Sequence, residues 1–213
     1  MTVLPYGDRA LLVELGSAEE VVRYVDALAG VDARLVEDVV PGARTVLVVG
    51  RQGVPVVEVR GALATSLEAI RQSEVSRLGR GRSRTSTTHL IEVPVAYDGP
   101  DLGEVARLTG LDEAGVVAAH TGAVWRVAFG GFAPGFAYLV GGDPRLHVPR
   151  RDQPRTSVPA GSVGLAGEFS GIYPRSSPGG WQLIGRTDLV LWDLDRDPAA
   201  LLAPGATVRF VEA

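Results

Sequence analysis

Residues 129–187 read FGGFAPGFAYLVGGDPRLHVPRRDQPRTSVPAGSVGLAGEFSGIYPRSSPGGWQLIGRT, and this stretch decides the fold. It holds 12 of the chain's 27 glycines and 7 of its 14 prolines. Six arginines stand against three acids, so the stretch is locally basic in a chain whose net charge is −4. Glycine lets backbone approach backbone or ligand closely, and proline fixes φ and removes a donor. A linker would stop there, but Phe132, Phe136, Tyr138, Ile172, Tyr173, Trp181 and Leu183 call for burial. Turn-rich and aromatic together means short strands and shaped loops around a pocket or interface.

Outward from that stretch, short strands continue. Val124 to Phe129 alternates like a strand, Leu189 to Trp192 reads as another, Pro198 to Leu202 as a helical turn, and Ala206 to Val211 as a closing strand. Many short strands between turns indicate a β-barrel or sandwich. Two short helices lead in: Asp101 to Thr109, with Asp101 and Glu104 as a capping pair and Gly110 as its stop, and Asp112 to His120.

The first 95 residues carry a different pattern. Gly7-Asp8 turns an extended opening into Ala10 to Val13, and Ser17 to Glu20 is a capping box. It opens a helix with Val21, Val22, Val25 and Leu28 on one face, ended by Gly30. Leu35 to Val40 and Thr45 to Val49 read as strands, residues 54–59 as a possible third, and Ala62 to about Leu78 as a helix. The order β-α-β-β-α, closed by a strand at His89 to Val95, is the split βαβ arrangement. The expected fold is therefore α+β, with a ferredoxin-like α/β domain over residues 1–84 and a β-barrel domain over residues 85–213. The GRGRSRTSTT stretch at 79–88 separates them as a solvated loop. It has no aromatic residue to stack on a base, and the chain is acidic, so nucleic acid is not an expected partner.

Composition excludes several chemistries. There is no cysteine, hence no disulfide, thiolate metal site or cysteine nucleophile. All 21 basic residues are arginine, so a P-loop lysine, a Schiff-base lysine and a biotinyl-lysine are impossible within this chain. No stretch reads as a signal peptide or a membrane span, which predicts a cytoplasmic protein. The three histidines do not stand at metal-ligand spacing, so no metal is expected.

Several residues are candidates for chemistry. His120 ends its helix, where an imidazole either bonds free carbonyls or serves as a proton-transfer group. In VPRRDQPR, Arg150, Arg151 and Arg155 stand among prolines on a stiff backbone. That suits bidentate capture of a carboxylate or phosphate, and equally a solvated loop with Asp152 as counter-ion. Ala160 to Gly164 approaches the G-x-S-x-G elbow, but Ala160 replaces its first glycine. Ser162 is left as a donor to a ligand oxygen. Trp181, straight after a double glycine, reads as a core anchor. The Pro134-Gly135 turn leaves open which of Phe132, Phe136 and Tyr138 faces outward.

GFAPGFAYL (131–139), DPRL, VPRR, VPAGSVG, GIYP and SPGGWQLIGRT (177–187) together resemble the KipI-like family. The likeness extends from Tyr6-Gly7-Asp8 through His120-Thr121 to Pro204-Gly205. That family covers the B-type subunit of the bacterial ATP-dependent 5-oxoprolinase, the histidine-kinase inhibitor KipI, and the first subunit of allophanate hydrolase or urea carboxylase-type carboxyltransferases. The resemblance implies a cyclophilin-like barrel for the C-terminal domain. It also implies a KipA-like partner subunit and a third, LamB/YcsF-like subunit. The implied reaction is ATP-driven opening of 5-oxoproline to L-glutamate. In that reading His120 is the catalytic group, and Arg150, Arg155, Ser162, Arg186, Phe132 and Tyr138 line the substrate site. A kinase regulator and a carboxyltransferase subunit are the alternatives. Two departures stand out: Ala137 where the family pattern has proline, and Glu168-Phe169-Ser170 in place of a more polar segment.

Overall fold

Ser17 caps its helix as its spacing predicts: its side chain accepts from the Glu20 N–H, while Glu20 Oε2 accepts from the Gly16 N–H at 2.8 Å. A computed structural model describes residues 1–65 and 90–213 of the chain. The chain divides into two units, Met1–Thr87 and Thr88–Ala213. The expected boundary at 84/85 lies outside the described residues, as does the 79–88 loop.

The first unit holds β1 (Thr2–Tyr6), β2 (Ala10–Glu14), α1 (Ala18–Leu28), β3 (Val36–Pro41), β4 (Thr45–Gly50) and a helix α2 described over 56–65. Its four-stranded antiparallel sheet has the order β1-β2-β4-β3. Pro41 can sit in β3 because that strand is an edge. Val21, Tyr24 and Leu28 of α1 pack with Leu11, Val13, Val46 and Val48 into one core.

Two expectations fail here. The segment at 54–59, rich in β-branched valine, begins α2 instead of a strand. Pro55 sits just before the first helical turn, and Val59 and Leu63, four apart, are both buried on the core side. The strand expected to close this sheet, His89 to Val95, forms β5 (Leu90–Val95) of the second unit and pairs in parallel with its last strand. The β1–β2 hairpin supplies the fourth strand, so the place expected for His89 to Val95 is filled from the N-terminal side.

The second unit contains β5, α3 (Leu102–Thr109), α4 (Glu113–Gly122), β6 (Trp125–Gly130), β7 (Ala137–Val140) and a 3-10 turn at Pro144–Leu146. Then come β8 (Arg155–Val158), β9 (Ser162–Ala166), β10 (Phe169–Ile172), β11 (Ser177–Gly179), β12 (Gln182–Arg186) and β13 (Thr207–Glu212). Seven strands form one sheet in the order β12-β9-β10-β7-β6-β13-β5. Its two ends meet: just past β5, Ala96 and the last residue of β12, Arg186, exchange both backbone hydrogen bonds at 2.9 Å. The sheet thus closes into a barrel, consistent with the cyclophilin-like expectation. Strands 8 and 11 form a separate ribbon. The expected strand Leu189–Trp192 and helical turn Pro198–Leu202 are a looped pair tied by Leu201 N–H to Leu191 O and a single Trp192–Ala200 bridge.

Strand alternation sorts the side chains into two cores. One gathers Val93, Val95, Val127, Leu139, Leu165, Ile184, Val208 and Phe210 with the buried faces of α3 and α4. The other gathers Phe136, Val158, Ala166, Tyr173, Trp181 and Leu183. Gly171 on β10 faces this second core. A Cβ there would stand 2.9 Å from the Trp181 ring and 3.0 Å from Ala137 O, so only glycine lets the indole lie flat against the strand.

Candidate functional site

Asp101 precedes α3 as its N-cap, yet its side chain makes no cap bond. Its carboxylate is turned instead toward the VPRRDQPR loop, with its side chain only 3% exposed. Arg155 holds it bidentately, Nη1 to Oδ2 and Nη2 to Oδ1, both at 2.9 Å. Arg151 Nη1 donates to Oδ1 at 2.5 Å, and the Leu183 backbone N–H to Oδ2 at 2.7 Å. Burial alone would raise the Asp101 pKa. The bonds from Arg155 and Leu183 and the charges of Arg155 and Arg151 outweigh that and hold it below the usual carboxylate range. The capping reading of Asp101 is therefore corrected: it is the anion that fixes two arginines of the stiff loop on the end of β12.

Beside this cluster is a hollow of about 450 Å³ bounded by α3 and the loop, its lining including Glu104, Arg107, Arg150, Arg151 and Gln182. Glu104 and Arg107 are paired to each other, Nε to Oε2 at 2.8 Å. Arg150 is exposed and has no ion pair or hydrogen bond with any described residue. Of the loop's three arginines, two are committed to Asp101 and one is free for an outside anion.

His120 is elsewhere. It is 0% exposed, within the barrel core, stacked on Phe210 at 4.1 Å and edged by Tyr97 and Trp125. Nδ1 is 2.7 Å from the Tyr97 hydroxyl and Nε2 2.9 Å from Ser170 Oγ, which itself lies 3.4 Å from Gly164 O. With Ser170 donating to Gly164 O, the ring donates from Nε2 and accepts the Tyr97 proton at Nδ1. Burial lowers its pKa to about 3, so it is neutral at pH 7. Both nitrogens are satisfied inside a closed core, and this geometry does not place His120 against a substrate. The ring bonds no free carbonyl of its helix, so the cap reading is corrected: it joins α4 to β10. Tyr97 and Ser170, which complete that chain, carried no spacing signal in the sequence.

The remaining candidates fall into two groups. Ser162, first in β9, pairs in register with Arg186 of β12 at the barrel closure. Ser162 is buried at 6%, and Arg186 reaches out to Asp98 at 2.9 Å. Ser162 starts a strand, so it does not sit on a nucleophile elbow. Phe132 and Tyr138 belong to an aromatic cluster on the outer core. Tyr138 stacks on Phe129 at 4.4 Å, and Phe136 meets Trp181 edge-on at 5.3 Å. Phe132, at φ +65° and 58% exposed, is the ring turned outward; Phe136 is buried. Trp181 is the core anchor its sequence context predicts. Burial raises the Tyr173 pKa, against a backbone hydrogen bond with Trp181 and the nearby charges of Arg150 and Arg155, which lower it. No cluster of three or more histidine, aspartate or glutamate side chains among the described residues could hold a metal ion.

A family model of the carboxyltransferase domain, subdomains C and D, matches residues 1–202. The chain belongs to this family. A member from Escherichia coli O157:H7, named as the B-type subunit of 5-oxoprolinase, is 42% identical over 206 residues, covering 93% of this chain and 87% of that protein. One of the same name from Bacillus subtilis (strain 168) is 41% identical over 153 residues, 70% of this chain and 64% of that protein. Among solved structures, TTHA0988 superposes with a TM-score of 0.72 at 34% identity. It covers 96% of this chain, which in turn spans only 40% of that longer one. No helix among the described residues of this carboxyltransferase-domain protein is long and apolar enough to cross a membrane.

Proposed function

We propose that the chain is the B-type subunit of an ATP-dependent 5-oxoprolinase, working with a KipA-like and a LamB/YcsF-like subunit to open 5-oxoproline to L-glutamate. The observation that carries this reading is the 42% identity to a 5-oxoprolinase B-type subunit over nearly the full length of both proteins. Agreement across both units supports a shared working role beyond a shared barrel.

The chemistry is consistent with the side chains present. Amide resonance protects the lactam carbonyl, and ATP would supply the phosphoryl group that activates its oxygen. This chain has no lysine for a phosphate loop, so ATP would be held with partner residues and with arginines. What this chain offers is a fixed cation array. Asp101 orders Arg151 and Arg155, and Arg150 stays free to receive the substrate carboxylate bidentately. Arg186 and Ser162 at the barrel closure, and Phe132 and Tyr138 in the aromatic group, would be further substrate contacts in the assembled enzyme. With cations to hold a substrate but His120 sealed in the core, the chain alone would be inactive.

The test is co-expression with the two partner subunits and an assay of 5-oxoproline-dependent ATP hydrolysis. Hydrolysis that needs all three proteins supports the reading. A complex that forms but hydrolyses no ATP on addition of 5-oxoproline overturns it.

A further inference from the structure

Another hollow of the second unit, about 480 Å³, opens between the turn at 130–136 and the looped pair that carries Trp192 and Ala200. Its lining, which includes Phe132, Pro134, Trp192, Leu202 and Pro204, bears no charged side chain. The two loops are packed together: a Cβ on Gly135 would stand 2.9 Å from Trp192 Cβ. Phe132 forms one wall from a backbone at φ +65°, a conformation that a bulky residue adopts only at a cost. Two residues to either side of the exposed Trp192, Val190 is 60% and Leu194 83% exposed. Large apolar side chains grouped on a surface in this way mark an interface.

The charges among them say what covers them. Residues 188–198 hold four aspartates and one arginine. Arg196 is turned back on its own loop, its Nη2 donating to Val190 O at 3.1 Å and lying 3.9 Å from Asp193. Asp188, Asp195 and Asp197 are exposed and have no ion pair with any described residue. Free carboxylates repel anionic lipid headgroups and phosphate backbones, so neither a membrane nor a nucleic acid fits. A second copy would set its own aspartates against these. We infer that this face docks a segment of a partner subunit that places an apolar side chain in the hollow and arginine or lysine beside the three aspartates. Val190, Trp192 and Leu194 supply the contact that excludes water, and the aspartates steer the encounter and select the partner's sign. The inference rests on the 5-oxoprolinase reading, which places this chain among partner subunits.

The experiment measures association of the full chain with the KipA-like and with the LamB/YcsF-like subunit by calorimetry, at about 50 mM and about 500 mM salt. One of the two is expected to bind, about ten-fold more weakly at the higher salt. Val190→Ser combined with Leu194→Ser should weaken that binding at least about ten-fold at both salt concentrations. Asp195→Asn combined with Asp197→Asn should weaken it at low salt and flatten the salt dependence. All four side chains are exposed, and an unchanged urea midpoint shows that the fold is intact. Wild-type affinity in either double variant overturns the inference. So does a wild type that binds neither subunit, or a salt dependence that survives the loss of the aspartates. Self-association abolished by the same substitutions overturns it in favour of a second copy. The assembled complex separates the two claims. Hydrolysis of ATP on addition of 5-oxoproline, with the double variants binding as wild type, overturns the docking face alone. Double variants that no longer bind, in an assembly that never hydrolyses ATP, overturn the enzyme reading alone.

Discussion

Replacing Asp101 with asparagine removes one charge and keeps the shape and an acceptor for the Leu183 N–H. Two guanidiniums, with side chains 33% and 23% exposed, lose their shared counter-ion. Breaking a fully buried pair costs about 3–5 kcal/mol, but both arginines reach water, so about 2–3 kcal/mol is the reasonable figure here. For a unit of this size that corresponds to a melting shift of about 6–12 °C. The assay is unambiguous, because Trp125, Trp181 and Trp192 all lie in the second unit and tryptophan emission reports on it alone. The pH dependence adds a second handle. The folded-state pKa of Asp101 is lowered, so its contribution is complete above the unfolded value of about 3.9 and is lost as pH falls through the folded value. The gap between wild type and Asp101→Asn should therefore close below about pH 4. A difference under about 0.5 kcal/mol at pH 7, or one that persists undiminished in acid, refutes the view that this carboxylate organises the loop.

His120 is buried neutral with a pKa near 3, well below the unfolded value of about 6.5. The unfolded chain thus binds the extra proton between those values, and stability should fall by up to about 1.4 kcal/mol per pH unit on acidification through that window. Urea titrations of wild type and His120→Asn should show that one-proton slope only in the wild type. Gly142→Ala would place a Cβ 2.0 Å from the Trp125 ring, so a shifted Trp125 emission and a loss of about 1–3 kcal/mol are expected on unfolding. Phe136→Ala should cost about 3–5 kcal/mol in the same measurement, while Phe132→Gly should stay within about 1 kcal/mol. Phe132 is exposed and sits at a φ that glycine tolerates better.

The helices with clear caps and the short strands of the barrel were legible because their signals are local. Ser17, Gly110 and the alternation through Val124 to Phe129, seen as β6, each carry their own instruction. Residues 54–59 were misleading because valine suits a strand by propensity, and only the core contact of Val59 and Leu63 makes the helix. The destination of Leu90 to Val95 was hidden for another reason. Its pairing partner lies more than a hundred residues away, and no local pattern marks a parallel neighbour. At the site, the loop arginines were visible as a charge pattern, but what each one binds was not. Asp101 has the sequence context of a cap, and it acquires its role only when β12 is laid beside the loop.

The position of β13 bears on how the protein is made. It lies between β5 and β6 in the sheet, in parallel register with the first strand of the barrel from Thr207 beside Leu90 to Glu212 beside Val95. During translation every other strand of the barrel leaves the ribosome before this one. Until it arrives, β5 has no lateral neighbour on that side and β6 presents an open edge, a surface prone to pairing with a stranger. A barrel lacking only that six-residue strand therefore keeps both of these edges unpaired until β13 joins it.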